Sequence, residues 1–180
     1  DANNDGEIKK SDGDQAILIF GERRGGDAYY ALDVTDPDNP VYLWRLVGPV
    51  SAGRLGVSAD VSELGLSFSD PSIGKVNISG TSTPAFFIGG GYDATAEDSL
   101  PPAADTKGRG VYAFKIFPNA GALTPTKIWE YSYTTSVTND SGNSLDDVTY
   151  SIPSTITILD TDSNGTIDRL YVGDLGGRMW

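Results

Sequence analysis

The chain has 180 residues, 13 of them basic and 25 acidic, for a formal net charge of −12 at pH 7, and that excess argues against a nucleic-acid partner, which needs a clustered Lys/Arg surface. It contains no Cys and no His, so thiolate and imidazole metal sites, Ser-His-Asp and Cys-His nucleophiles and imidazole proton shuttles are all excluded, and oxygen chemistry remains. Hydrophobic residues make up 38% and aromatics 10%, enough for a core, while no apolar run approaches a membrane span, and with no initiator Met the expectation is that Asp1 is a processed or excised start.

In chain order, an acidic loop, Asp1 to Lys9, precedes the first apolar run, Ala16 to Phe20. Tyr29 to Leu32 and a segment around Trp44 follow. At Ser58 to Leu64, Val57, Val61 and Leu64 fall at helical spacing with Ser58 as a cap, room for one or two turns. Then come Ser69-Asp70-Pro71-Ser72-Ile73, the run Ala85 to Ile88 ending in Gly89-Gly90-Gly91, Val111 to Phe114, a segment around Trp129, Ser151-Ile152-Pro153-Ser154, Thr155 to Leu159, and Leu170 to Val172. Each apolar run is short, β-branched or aromatic, and bounded by Gly, Pro, Asn or Asp, which is the strand pattern.

These segments repeat. Tyr30 and Tyr112 are 82 residues apart, Pro71 and Pro153 also 82, and Trp44 and Trp129 85. One unit reads as a strand after Ser-x-Pro-Ser, a strand ending in Gly, a strand carrying Tyr-Ala-Leu/Phe, and a strand carrying Trp. Four short antiparallel strands with a recurrent Trp and Gly turns are the signature of a β-propeller blade. The fold class expected is therefore all-β, part of a β-propeller of about two to three four-stranded blades, and the Tyr30-Ala31-Leu32-Asp33 strand resembles those of quinoprotein-like propellers. The whole of 1–180 is read as a fragment of a larger protein, with units at 1–50, 66–135 and 148–180. It should hold the last three strands of one blade, one whole blade and the first strands of another. A β-sandwich, which also reuses Gly, Tyr and Trp, is the competing architecture.

Between Leu159 and Arg169 lies Asp160-Thr161-Asp162-Ser163-Asn164-Gly165-Thr166-Ile167-Asp168, or D-x-D-x-N-G-x-x-D. Oxygen side chains at loop positions 1, 3, 5 and 9, a Gly at 6 for the sharp turn and a backbone carbonyl at 7 are how a short loop wraps Ca²⁺. The metal ligands expected are Asp160, Asp162, Asn164, Asp168 and Thr166 through its carbonyl. Position 12 is Tyr171 where an EF-hand has Glu, and the flanks are strands, so the loop belongs in a β-hairpin. Its affinity is expected nearer the weak range, with a Kd of about 10⁻⁴ to 10⁻³ M. An Asx-bonded turn without an ion is the plainer alternative. The loop at Asp1, Asn3 and Asp5 has the first half of the same pattern but Lys9 at position 9. It is a weaker second candidate, in which Asp12 or Asp14 supplies the missing acid, and a solvated turn is its plainer reading. Asp146-Asp147 reads as a solvated loop, Gly89-Gly90-Gly91 as a strand-end turn, and Trp44 and Trp129 as core.

Gly25-Gly26 with Tyr29 to Pro37, then Pro40 and Trp44, Ser69 to Ile73, Phe87 to Tyr92, and finally Asp160 to Asp168 with Tyr171 to Trp180 together resemble the carboxy-terminal propeller of PilY/PilC-type pilus proteins. The resemblance spans nearly the whole chain. It implies a secreted or surface-exposed bacterial protein of the type IV pilus machinery, a fimbrial tip component that promotes pilus biogenesis and cell adhesion. It also implies calcium in the hairpin loop at Asp160, Asp162, Asn164, Thr166 and Asp168. The partners implied are the remaining blades of the parent protein, minor or major pilin subunits, and a host or surface receptor, with no nucleic acid and no membrane span.

The function expected is a calcium-binding, non-enzymatic module of a pilus-associated adhesin or assembly factor. Two alternatives stand beside it: a fragment of a quinoprotein dehydrogenase propeller, which would need a quinone and calcium site on the central axis, and a structural propeller segment of a surface filament.

Overall fold

The computed structural model describes residues 3, 5–49, 61–134 and 148–180. Nine strands form among them: β1 (Ile17–Gly21), β2 (Ala28–Asp33), β3 (Val41–Val47), β4 (Ser72–Ile78), β5 (Thr81–Gly89), β6 (Gly110–Lys115), β7 (Lys127–Ser132), β8 (Thr157–Leu159) and β9 (Arg169–Tyr171). They make three antiparallel sheets in sequential order, β1-β2-β3, β4-β5-β6-β7 and β8-β9. This is the expected series: three strands, a complete blade, and the opening pair of another. The repeat extends to irregularities. Trp44 pairs with Ala31 beside a register shift at Ala31/Leu32, and Trp129 pairs with Ala113 beside one at Ala113/Phe114.

Alternation along the middle sheet sends successive side chains to opposite faces. Phe86, Ile88, Tyr112, Phe114 and Ile116 pack with Tyr29, Ala31, Trp44 and Leu46 of the first sheet. Ala85, Phe87, Val111, Ala113 and Tyr131 turn the other way, toward Ile152, Ile156 and Val172. The middle sheet is thus apolar on both faces, as a blade between two blades must be. At the first interface the Trp44 ring stacks on Phe86 at 5.1 Å and its Nε1–H donates to the Ile116 carbonyl at 2.6 Å.

The Ser-x-Pro-Ser element ties neighbouring units together. Ser69 Oγ accepts from Gly89 N–H at 2.8 Å and donates to the Ser154 carbonyl at 2.9 Å, and Ser72 Oγ donates to the Ile156 carbonyl at 2.5 Å. The triple glycine is a contact point between backbones: a Cβ on Gly89 would sit 2.3 Å from the Ile152 carbonyl oxygen, and one on Gly91 2.2 Å from that of Leu66.

Several details depart from the sequence reading. β8 starts at Thr157, because Ile156 turns into the core and its carbonyl is taken by Ser72. Most of the helix expected at Ser58 to Leu64 lies outside the described residues, and its described end is a turn closed by Leu64 N–H to the Val61 carbonyl at 3.0 Å. A short helix, α1 (Ala94–Glu97), forms where none was expected. Buried Asp93 caps it, accepting from the N–H groups of Thr95, Ala96, Thr106 and Lys107 and from the Thr106 hydroxyl. Trp129, expected in the core, is 42% exposed, whereas Trp44 is fully buried. No described helix is long and apolar enough to cross a membrane.

Candidate metal centre

The connection between β8 and β9 is residues 160–168, whereas the corresponding β4–β5 connection is the tight turn Ser79-Gly80, with both residues at positive φ (50° and 84°) as a type I′ hairpin requires. The third hairpin therefore carries a long polar excursion that the second lacks. Its return arm is pinned. Asp168 N–H donates to the Leu159 carbonyl at 3.0 Å, and Ile167 N–H donates to the Lys75 carbonyl of β4 at 2.7 Å. The Ile167 side chain lies over Gly74, where a Cβ would come within 2.6 Å of its Cγ1. With that side anchored to the middle sheet, Asp160 is half-buried and residues 161–165 are exposed.

Inside the loop the carboxylates organise the backbone. Asp160 accepts from Asn164 N–H at 3.1 Å and from Gly165 N–H at 2.7 Å. Asp162 accepts from Asn164 N–H at 3.2 Å and from Asn164 Nδ2–H at 2.9 Å. Asn164 Oδ1 accepts from Thr166 N–H at 2.8 Å, and the Asp168 carboxylate accepts from the Thr161 hydroxyl at 2.8 Å. Gly165 has φ +86° and Ser163 +60°, so the sharp turn is where the pattern puts it. The result is convergence: one carboxylate oxygen from each of Asp160, Asp162 and Asp168 lies within 4.8 Å of the others.

Three anionic groups at that separation repel one another. Desolvation pushes the Asp160 carboxyl up, but N–H donation from Gly165 and Asn164 holds it below its usual range overall, so it is ionised and available at neutral pH. The three clustered donors are hard carboxylate oxygens with no nitrogen or sulfur, which suits a hard cation such as Ca²⁺ over softer metals. Asn164 Oδ1 points at Thr166, so ligation by Asn164 would exchange that internal bond for the ion.

Of the second candidate loop, Asp1 lies outside the described residues. Asn3 and Asp5 form a local turn, with Asp5 N–H donating to Asn3 Oδ1 at 3.1 Å and Asn3 Nδ2–H reaching Asp12 at 3.3 Å. Asp14 is buried and accepts from Lys9 N–H at 2.8 Å. Among the described residues, the trio in the β8–β9 hairpin is the group of three acids close enough to share an ion. Sequence reading passed over the anchoring pair Ile167 and Gly74. The available signal was an apolar residue at loop position 8, present also as Ile8 in the first loop.

A family model described as the PilY1 beta-propeller domain matches residues 6–180. Among curated proteins, the type IV pilus biogenesis factor PilY1 homolog of Xylella fastidiosa is 28% identical over 182 residues, taking in 98% of this chain and 12% of that protein. The type IV pilus biogenesis factor PilY1 of Pseudomonas aeruginosa is 27% identical over 164 residues, 91% of this chain and 11% of that protein. The chain thus spans about a tenth of the length of the curated relatives it matches. In fold it is similar to the crystal structure of the Pseudomonas aeruginosa PilY1 C-terminal domain, with a TM-score of 0.52 and 24% identity over 92% of this chain and 26% of that one.

Proposed function

The chain belongs to the PilY1 beta-propeller domain family, and from that premise we propose that it is the calcium-binding, non-enzymatic module of a type IV pilus-associated biogenesis factor and surface adhesin. The observation that carries the calcium reading is the convergence of Asp160, Asp162 and Asp168 in an exposed hairpin loop. A bound Ca²⁺ would supply charge neutralisation to ligands from Asp160, Asp162, Asn164, Asp168 and the Thr166 carbonyl. The chain's own part is to hold the return arm of the loop on β4 through Ile167, so that closing the outer arm fixes one defined surface. Because the closed loop binds the ion and the open loop does not, binding becomes local ordering.

In this reading the module works outside the bacterial cell as part of a longer polypeptide. Its partners are the remaining propeller blades of that polypeptide, pilin subunits, and a host or surface receptor. The loop at Asp1, Asn3 and Asp5 is a weaker second site. The test is surface piliation of a piliated bacterium whose full-length protein carries Asp160→Ala. The parent should lose piliation response when calcium is chelated, and the variant should be insensitive to calcium. A variant that still responds to calcium as the parent does would overturn the proposal.

A further inference from the structure

Asn164-Gly165 is the one Asn-Gly pair in the sequence, and the hairpin loop holds both of its residues by hydrogen bonds. A glycine after asparagine leaves the intervening backbone nitrogen uncrowded by a Cβ, so that this nitrogen can attack the asparagine side chain. A Cβ built on Gly165 would meet nothing within 4 Å, and residues 161–165 are open to water. Asn164 Oδ1 accepts from Thr166 N–H at 2.8 Å, an Asx turn whose ring contains both Asn164 Cγ and Gly165 N. Electrophile and nucleophile are thereby folded toward each other.

The neighbouring polar groups sit where the reaction between them needs them. Gly165 N–H donates to Asp160 Oδ2 at 2.7 Å, the reach of a general base. Asn164 Oδ1, where negative charge develops as Cγ is attacked, accepts from both the N–H and the hydroxyl of Thr166, which is the arrangement of an oxyanion hole. The leaving nitrogen, Asn164 Nδ2, is oriented by donation to Asp162 Oδ2 at 2.9 Å.

We propose that Asn164 is a self-modification site, at which the folded loop converts the side-chain amide to a carboxylate. Gly165 N forms a bond to Asn164 Cγ while its proton passes to Asp160, giving a tetrahedral centre whose oxygen is held by Thr166. The bond from Cγ to Nδ2 then breaks, and the nitrogen leaves as ammonia with the proton that Asp160 took up. Water opens the resulting succinimide at Cγ, giving aspartate at position 164, or at the backbone carbonyl, giving isoaspartate. The net change consumes water and releases ammonia, with no oxidant or reductant. Aspartate puts a carboxylate at loop position 5, a consequence for the ion that rests on the calcium reading, whereas isoaspartate inserts a methylene into the backbone ahead of Gly165. The conversion itself needs no metal.

Peptide mass spectrometry of the purified chain, held at neutral pH with a calcium chelator, follows the conversion in the folded protein and in the same chain unfolded by urea. The folded chain should convert Asn164 severalfold faster than the unfolded one. Asn77, which accepts from Gly80 N–H at 2.8 Å but is followed by Ile78, should stay an amide in the same samples. Thr166→Val removes the hydroxyl and keeps the N–H, and Asp160→Asn removes the base, so each should bring the folded rate down toward the unfolded one. Conversion no faster in the folded chain than in the unfolded one overturns the proposal, as does a rate that either substitution leaves unchanged. With calcium chelated throughout, a hairpin that binds no ion leaves this result standing, and an unreactive Asn164 leaves the calcium reading standing.

Discussion

Trp44 and Trp129 occupy equivalent positions with unequal cover, so the same substitution at each weighs the blade interface directly. Truncating a fully buried Trp removes its transfer energy and leaves a cavity, about 3–5 kcal/mol. The Ile116 carbonyl, which now accepts from Trp44 Nε1 at 2.6 Å, is stranded as well, a loss of about 1–3 kcal/mol that overlaps the first term. At Trp129 no closed cavity can form because two-fifths of the side chain is already wet, so Trp129→Ala should cost about 1–2 kcal/mol. Urea unfolding followed by far-ultraviolet circular dichroism reads the difference. With a slope of about 2 kcal/mol/M, Trp44→Ala should lower the midpoint by roughly 1.5–2.5 M and Trp129→Ala by roughly 0.5–1 M. Equal shifts at the two positions would refute the reasoning, because they would mean the face carrying Trp129 is as well packed as the one carrying Trp44.

Other outcomes follow from the same contacts. Gly74→Val places methyl groups where Ile167 now sits, so it should weaken calcium binding in calorimetry while leaving the circular dichroism of the sheets unchanged. In 10 mM calcium and with a Kd of about 10⁻⁴ to 10⁻³ M, the closed hairpin should gain about 1.4–2.7 kcal/mol. That is roughly ten- to a hundredfold slower hydrogen exchange of the β8–β9 amides, an effect Asp162→Ala should abolish. Burial pushes the Asp93 carboxyl up, but donors from Thr106, Ala96 and Lys107 hold it below its usual value overall. A folded value below the unfolded one gives stability that is complete above the unfolded carboxylate range and is lost as the pH falls through the folded value. Asp93→Asn should therefore flatten the acid limb of stability against pH and cost about 1–3 kcal/mol at neutrality.

Strand order and blade composition were legible because they are written locally: alternating apolar runs, Gly at strand ends, and Tyr, Trp and Ser-Pro-Ser at a steady offset. The turn of the hairpin loop was legible for the same reason, since Gly165 and the spaced acids encode it in nine consecutive residues. What escaped depends on contacts between distant segments. Asp93 looks like any loop acid until the chain returns with Thr106 and Lys107 to donate to it. Ile167 looks like a strand residue until Gly74 opens a seat for it. Trp129 repeats Trp44 in sequence and differs only in what covers it, which no local pattern records. The glycine triplet was read as a turn, and its second use, letting three backbones meet near Leu66 and Ile152, is visible only in the packed blades.

The central claim is that the β8–β9 hairpin binds calcium through its converging acids, and isothermal titration of calcium into the parent chain and into Asp162→Ala tests it most directly. The account predicts saturable binding in the parent, with the hairpin site lost in the variant while the sheets remain folded. No heat of binding in the parent, or an unchanged isotherm in Asp162→Ala, would contradict it.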